Sequence, residues 1–111
     1  MNGQSPFEFL LPDMKKKSLG TDNFSKAKNF LKTVAEANRL KILFELKNKT
    51  MNVTELHTKL RLPQNLTSHH ISKLKKVGLL SEKHDGTFRL YSVNKKKLAE
   101  STRIFKELLG I

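Results

Sequence analysis

Residues 53–80 read VTELHTKLRLPQNLTSHHISKLKKVGLL. Their pattern decides the fold. Apolar residues at helical spacing, a break holding a proline, and a glycine stop divide the stretch into two short helices. The first covers residues 54–60. Thr54 is a capping residue type at its start, and Leu56 and Leu60, four apart, share its buried face. Pro63 disfavours the α region for Leu62, which places the break at Arg61-Leu62-Pro63. The second helix covers residues 64–77 and stops at Gly78, the residue type that accepts a left-handed turn. Two helices over so short a turn form a helix-turn-helix, whose second helix fits a DNA major groove.

Helical spacing sorts the second helix into two sides. Leu66, Ile71, Leu74 and Val77 fall on one broad side, with Thr67 and His70 between them. Asn65, Ser68, His69, Ser72 and Lys76 fall on the other. No acidic residue occurs from Gln64 to Lys76. A solvated helix ordinarily mixes both charge signs. A helix that reads base edges needs amide, hydroxyl and basic groups, and no carboxylate to repel phosphate.

The whole chain points the same way. Its 111 residues suit one domain with a modest core. It carries 22 Lys plus Arg against 10 Asp plus Glu, a formal charge of +12. That excess favours a polyanion, nucleic acid before an anionic membrane surface. There is no cysteine, which excludes disulfides, thiolate metal sites and cysteine redox switches. No apolar run approaches the roughly 20 residues of a membrane span. The run Phe7-Glu8-Phe9-Leu10-Leu11 lacks a preceding basic residue and is broken by Glu8 and Pro12, so it does not read as a signal peptide. The expected location is the cytoplasm, at a prokaryotic nucleoid.

Outward from the central stretch, residues 1–23 read as a partly flexible N-terminal arm and residues 24–109 as the folded domain. The arm holds an apolar run at 6–12 and a basic run at 15–17. A helix starts at residue 23 or 25 and ends at 35, with Ala27, Phe30, Leu31, Val34 and Ala35 on the apolar template. A second spans residues 38–47. Its Leu40, Ile42, Leu43, Phe44 and Leu46 cover most of its circumference, which predicts a central place in the core. After Gly78 the period becomes strand-like. Residues 80–84 and 88–93 flank Asp85-Gly86-Thr87, a hairpin signal because a tight turn demands positive φ. A hairpin directly after a reading helix is a wing. Asn94 can cap a last helix over residues 95–109, carrying Leu98, Phe105, Leu108 and Leu109 on a stripe and ending at Gly110.

Three stretches resemble the ArsR family of bacterial and archaeal winged-helix repressors. Residues 31–43, LKTVAEANRLKIL, look like the family's LKALAEPTRLRIL segment; residues 62–80, LPQNLTSHHISKLKKVGLL, look like its LSQSTVSHHLKVLREAGLV segment; residues 85–91, DGTFRLY, look like its wing. The likeness covers about residues 24–109. It implies a mainly α winged helix-turn-helix, ordered α-α-α-α-β-β-α, dimeric through its first and last helices on a pseudo-palindromic operator. This chain departs from the pattern at both usual metal sites. Asn52-Val53-Thr54 stands where many members have Cys-Val-Cys, and residues 95–111 hold neither His nor Asp. Leu66-Thr67 also stands where the family usually has a hydroxyl residue and then an aliphatic one.

The residues assigned to DNA are Gln64, Asn65, Thr67, Ser68, His69, Ser72, Lys73 and Lys76 on the second helix, and Lys83, Thr87 and Arg89 on the wing. Gln64, Asn65, Ser68 and His69 are the base-edge readers; Lys75, Lys76, Lys83 and Arg89 sit beside them for phosphate. The seam is assigned to Phe30, Leu31, Val34, Phe105 and Leu108. The partners expected are double-stranded DNA and a second copy, with no cofactor, metal or membrane. His69 and His70 are adjacent, so they diverge by about 100° and cannot chelate one ion together. Instead, His70 is placed at the junction with the wing. Ser68 beside His69 has neither a positioned carboxylate nor a glycine-rich oxyanion site, which argues against a hydrolase. The rival readings are a winged helix used for protein contacts or for non-specific nucleic-acid or architectural binding, and an anionic-membrane module. The basic balance opposes the protein-contact reading. A membrane module needs a basic face opposite a large apolar one throughout, and only the first helix has that.

Overall fold

The computed structural model describes residues 21–111. The apolar and basic runs at 6–12 and 15–17 lie outside them. Five helices and one hairpin follow in order: α1 (Thr21–Val34), α2 (Ala37–Glu45), α3 (Val53–Leu60), α4 (Gln64–Lys76), β1 (Leu80–Asp85), β2 (Phe88–Val93) and α5 (Lys95–Leu108). The mainly α winged helix-turn-helix is therefore present in the order the sequence implies.

Local chemistry explains the boundaries. α3 starts one residue earlier than Thr54 would dictate, because Asn52 is the cap. Its side chain accepts from the Glu55 N–H at 2.8 Å, and the Glu55 carboxylate accepts from the Asn52 N–H at 3.0 Å. That reciprocal box satisfies two orphan donors at once, and Thr54 cannot match it. The turn after α3 is made by Arg61, the only non-glycine residue with positive φ (55°) among the described residues. Leu62 N–H then closes onto the His57 carbonyl at 3.0 Å, and His57 Nδ1 lies 3.2 Å from the Leu62 carbonyl oxygen. Pro63 is extended and serves as the N-cap of α4. Gly78, at φ 81°, ends α4, and Leu79 N–H reaches back to the Leu74 carbonyl at 3.0 Å.

The hairpin is antiparallel, from Leu80 opposite Val93 to Asp85 opposite Phe88. The strands close on Gly86-Thr87 alone, with the positive φ at Gly86 (63°). Met51 adds a short antiparallel bridge to Tyr91, exchanging bonds of 3.1 and 2.8 Å. The chain ahead of α3 is thus tied to the wing.

The core joins Ile42 and Leu43 of α2 and Leu46 at its C-cap, Leu56 of α3, Ile71 and Leu74 of α4, Leu79 just ahead of the wing, and Leu80 and Tyr91 of the wing. α2 is not buried all round: Phe44 is 66% exposed. α1 packs along α5, with Ala27 and Phe30 buried and Ile104 facing them from the last helix. Asn94 caps α5 as expected, accepting from the Lys97 N–H at 3.1 Å.

Candidate nucleic-acid interface

α4 presents Gln64, Asn65, Ser68, His69, Ser72, Lys73 and Lys76 to solvent as one exposed polar row. The opposite face holds Thr67, His70, Ile71 and Leu74, all buried. Thr67 is therefore a correction. It is 0% exposed, and its hydroxyl donates to the Pro63 carbonyl at 3.0 Å. A side chain so enclosed cannot touch a base edge. It fills the core position that an aliphatic residue would occupy, with its one polar atom satisfied.

His70 is a second correction. It packs against the start of α2, not against the wing. Arg39 Nη1 stands 3.2 Å from His70 Nδ1. Guanidinium nitrogens only donate, so in this contact Nδ1 is the acceptor. Arg39 Nε also donates to the Thr33 carbonyl at 2.5 Å, the Arg39 N–H donates to Glu36 Oε2 at 2.9 Å, and that oxygen lies 3.6 Å from His70 Nδ1. Burial pushes the His70 pKa down; the Glu36 charge opposes this, while Arg39, His69 and Lys73 add to it, and the net direction is downward. Burial acts to raise Glu36, but the Asn38 and Arg39 N–H groups and the charges of His70 and Arg39 outweigh it and hold the carboxyl below its usual value. This cluster joins the end of α1, the start of α2 and the middle of α4. It ties α4 to the junction of α1 and α2.

Between α4 and the wing lies a cleft of 380 Å³. Ser68 and Ser72 of α4 meet Thr87 and Arg89 of the wing there. Gln64, Asn65, His69, Lys73 and Lys83 are exposed outside its lining. Lys76 lines a different cleft, towards α1 and α5. Sequence reasoning missed Asn52, Thr54 and Phe88 as cleft residues. Phe88 is a large exposed aromatic at the wing's turn, and its place opposite Asp85 in the hairpin was the available signal. Lys75 also lines the cleft, yet its ammonium is engaged by Glu82 at 2.8 Å and lies 6.0 Å from the centre of the Tyr91 ring. The Lys75 hydrogen bond holds the Glu82 carboxyl below its usual value. Burial, then the Glu82 charge and hydrogen bond, pushes the Tyr91 hydroxyl up. Lys75 is thus a partly neutralised cation, unlike Arg89.

The seam residues also divide. Phe30 is 8% exposed and Val34 packs on the same core, so both serve their own chain. Leu31, Phe105 and Leu108 line an exposed apolar groove of 300 Å³ between α1 and α5. Among the described residues no three His, Asp or Glu side chains gather as metal ligands, and no helix is long and apolar enough to cross a membrane.

Comparison with known proteins fits this geometry. The model of the bacterial regulatory protein, arsR family, matches residues 36–82. An uncharacterised HTH-type transcriptional regulator of Methanocaldococcus jannaschii is 31% identical over 88 residues, spanning 78% of this chain and 99% of that protein. The chain belongs to the ArsR family. This ArsR-family protein is a DNA-binding transcriptional regulator. It is also similar to the transcriptional repressor PagR of Bacillus anthracis, 41% identical over 69 residues, 61% of this chain and 69% of PagR. The PagR crystal structure superposes with a TM-score of 0.61 at 35% identity, covering 73% of this chain and 91% of that one. The transcriptional activator HlyU of Vibrio cholerae is 32% identical over 72 residues, 65% of this chain and 67% of HlyU. The family match ends midway through β1 and leaves out the rest of the wing.

Proposed function

We propose that this regulator is a repressor that binds a pseudo-palindromic operator as a homodimer, without enzymatic activity, in the cytoplasm, with residues 24–109 as the binding unit. The observation that carries the reading is the exposed, carboxylate-free row on α4 beside a cleft shared with the wing. Gln64, Asn65, Ser68 and His69 read base edges, since amide, hydroxyl and imidazole groups match the donor and acceptor pattern of the major groove. Ser72, Lys73, Lys83, Thr87 and Arg89 hold the phosphate backbone on both sides of that row. Two copies joined over the α1–α5 groove place their α4 helices about 34 Å apart, one turn of DNA. PagR, a named repressor, is 41% identical in the matched region, which supports the sign of regulation.

The test is an operator selection from random duplexes, followed by the double substitution Ser68→Ala and His69→Ala. Each good base contact carries roughly 1–3 kcal/mol of discrimination. The double variant should lose preference for the selected site by at least tenfold while retaining non-specific affinity. Full retained selectivity would remove α4 from the reading role.

A further inference from the structure

A second cleft, of 280 Å³, opens where α1, α5 and the α4–β1 junction meet. Its rim carries three lysines from three different elements: Lys26 of α1, Lys76 at the end of α4, and Lys97 in the first turn of α5. Asn29 and Ser101 stand beside them, and no carboxylate lines the cleft. The floor is apolar, built on the buried Phe30, Leu79 and Ile104.

Lys97 is not a free surface chain. A Cβ on Gly78 would meet its Cγ at 3.3 Å, so the lysine stem is laid along the glycine backbone, and the residue is half-buried. Gly78 also has φ +81°, so both its conformation and this close approach call for glycine. Among the described residues neither Lys76 nor Lys97 forms an ion pair; Lys26 meets Asp22 at 3.3 Å in an exposed pair one helical turn apart. Lys97 sits at a helix start, where the dipole disfavours a cation, and three lysines lining one cleft place like charges together. An anion in the cleft relieves both. A phosphate monoester matches best: its charge near −2 and three acceptor oxygens suit three ammonium groups with an amide and a hydroxyl alongside.

We infer that this cleft binds a small organic phosphate, with its apolar part on the Phe30–Leu79–Ile104 floor, and that occupancy alters DNA affinity. The regulatory half rests on α4 being the reading helix. The cleft touches the last residue of that helix, and α1 and α5 also line the exposed apolar groove, so an occupant bears on both.

Phenyl phosphate titrated into the full chain and followed by amide NMR tests the site. Saturable shifts should centre on Gly78, Leu79 and Ser101, with affinity at least tenfold above that for inorganic phosphate or benzyl alcohol. Lys97→Gln should weaken binding at least tenfold with no change in thermal midpoint. Unsaturable shifts scattered over many lysines, or equal affinity in the variant, overturn the site. Benzoate binding as tightly as phenyl phosphate overturns the phosphate assignment. A fall in duplex affinity of Lys97→Gln without phenyl phosphate makes Lys97 a DNA backbone contact and overturns the proposal. Operator affinity at saturating phenyl phosphate should change five-fold or more; a change within twofold overturns the regulatory half. The Ser68 and His69 selectivity assay is run without phenyl phosphate, so its failure is distinguishable from failure here.

Discussion

Replacing His70 by Ala tests whether the Glu36–Arg39–His70 cluster holds α4. The ring is 7% exposed and accepts from a charged guanidinium at 3.2 Å. A hydrogen bond to a charged group contributes about 1.5–3 kcal/mol, and losing a buried ring adds a cavity cost. The Arg39 guanidinium keeps the Thr33 carbonyl as a partner, which limits the penalty. The expected loss is about 2–3 kcal/mol at pH 8, or roughly 10–20 °C in thermal midpoint for a domain of this size. The pH dependence is the sharper readout. His70 titrates below its ordinary 6.5 in the folded chain, so the unfolded chain takes up its proton first as pH falls. Its contribution is complete above 6.5 and is lost as pH drops through 6.5 towards the folded-state value. Glu36, held below 4.5, loses its contribution only at more acid pH. Urea unfolding of parent and variant at pH 8.0, 7.0, 6.0 and 5.5 should therefore give a stability gap that narrows with acidity. A gap below 1 kcal/mol, or one constant over that range, refutes the reasoning.

Four further outcomes follow from the same geometry. Thr67→Val should cost no more than about 1 kcal/mol, because the Pro63 carbonyl keeps the Thr67 N–H at 3.0 Å; altered operator selectivity in this variant would put Thr67 back in contact with DNA. Lys83→Ala should lower affinity alike on all duplexes and reduce the salt slope by about one, and an unchanged slope in a salt titration removes Lys83 from the contact set. Leu31→Glu places a charge in the α1–α5 groove, where Leu31 is 37% exposed; sedimentation should show dimers of the parent and monomers of the variant, and a parent that stays monomeric at tens of micromolar with DNA sinks the dimer. Zinc, cadmium or arsenite should leave operator affinity within twofold, since ordinary allosteric coupling of roughly 1–3 kcal/mol would shift it five-fold or more, and a stoichiometric metal site that does shift it reverses that expectation.

Much of the fold was legible because its signals are local. Gly78, Gly86 and Asn94 each act on the residue or turn where they stand, and each does in the structure what its chemistry implies. Even the misplaced α3 cap had a local signal, the Asn52–Glu55 pair three residues apart, which outcompetes Thr54 by closing two bonds instead of one. The helical period of α4 separated its polar row from its apolar side before any packing was known, and the buried set keeps that division.

What only the tertiary structure decided depends on which faces meet. The period of α2 shows five apolar side chains around one helix; only the placement of its neighbours leaves Phe44 outside. His70 finds Arg39 31 residues away, and Lys75 finds Glu82 across the α4–β1 junction. Capping and turn residues report on energies settled within one turn of chain. Partners distant in sequence are settled by the packing of whole elements, which no single stretch of 28 residues contains.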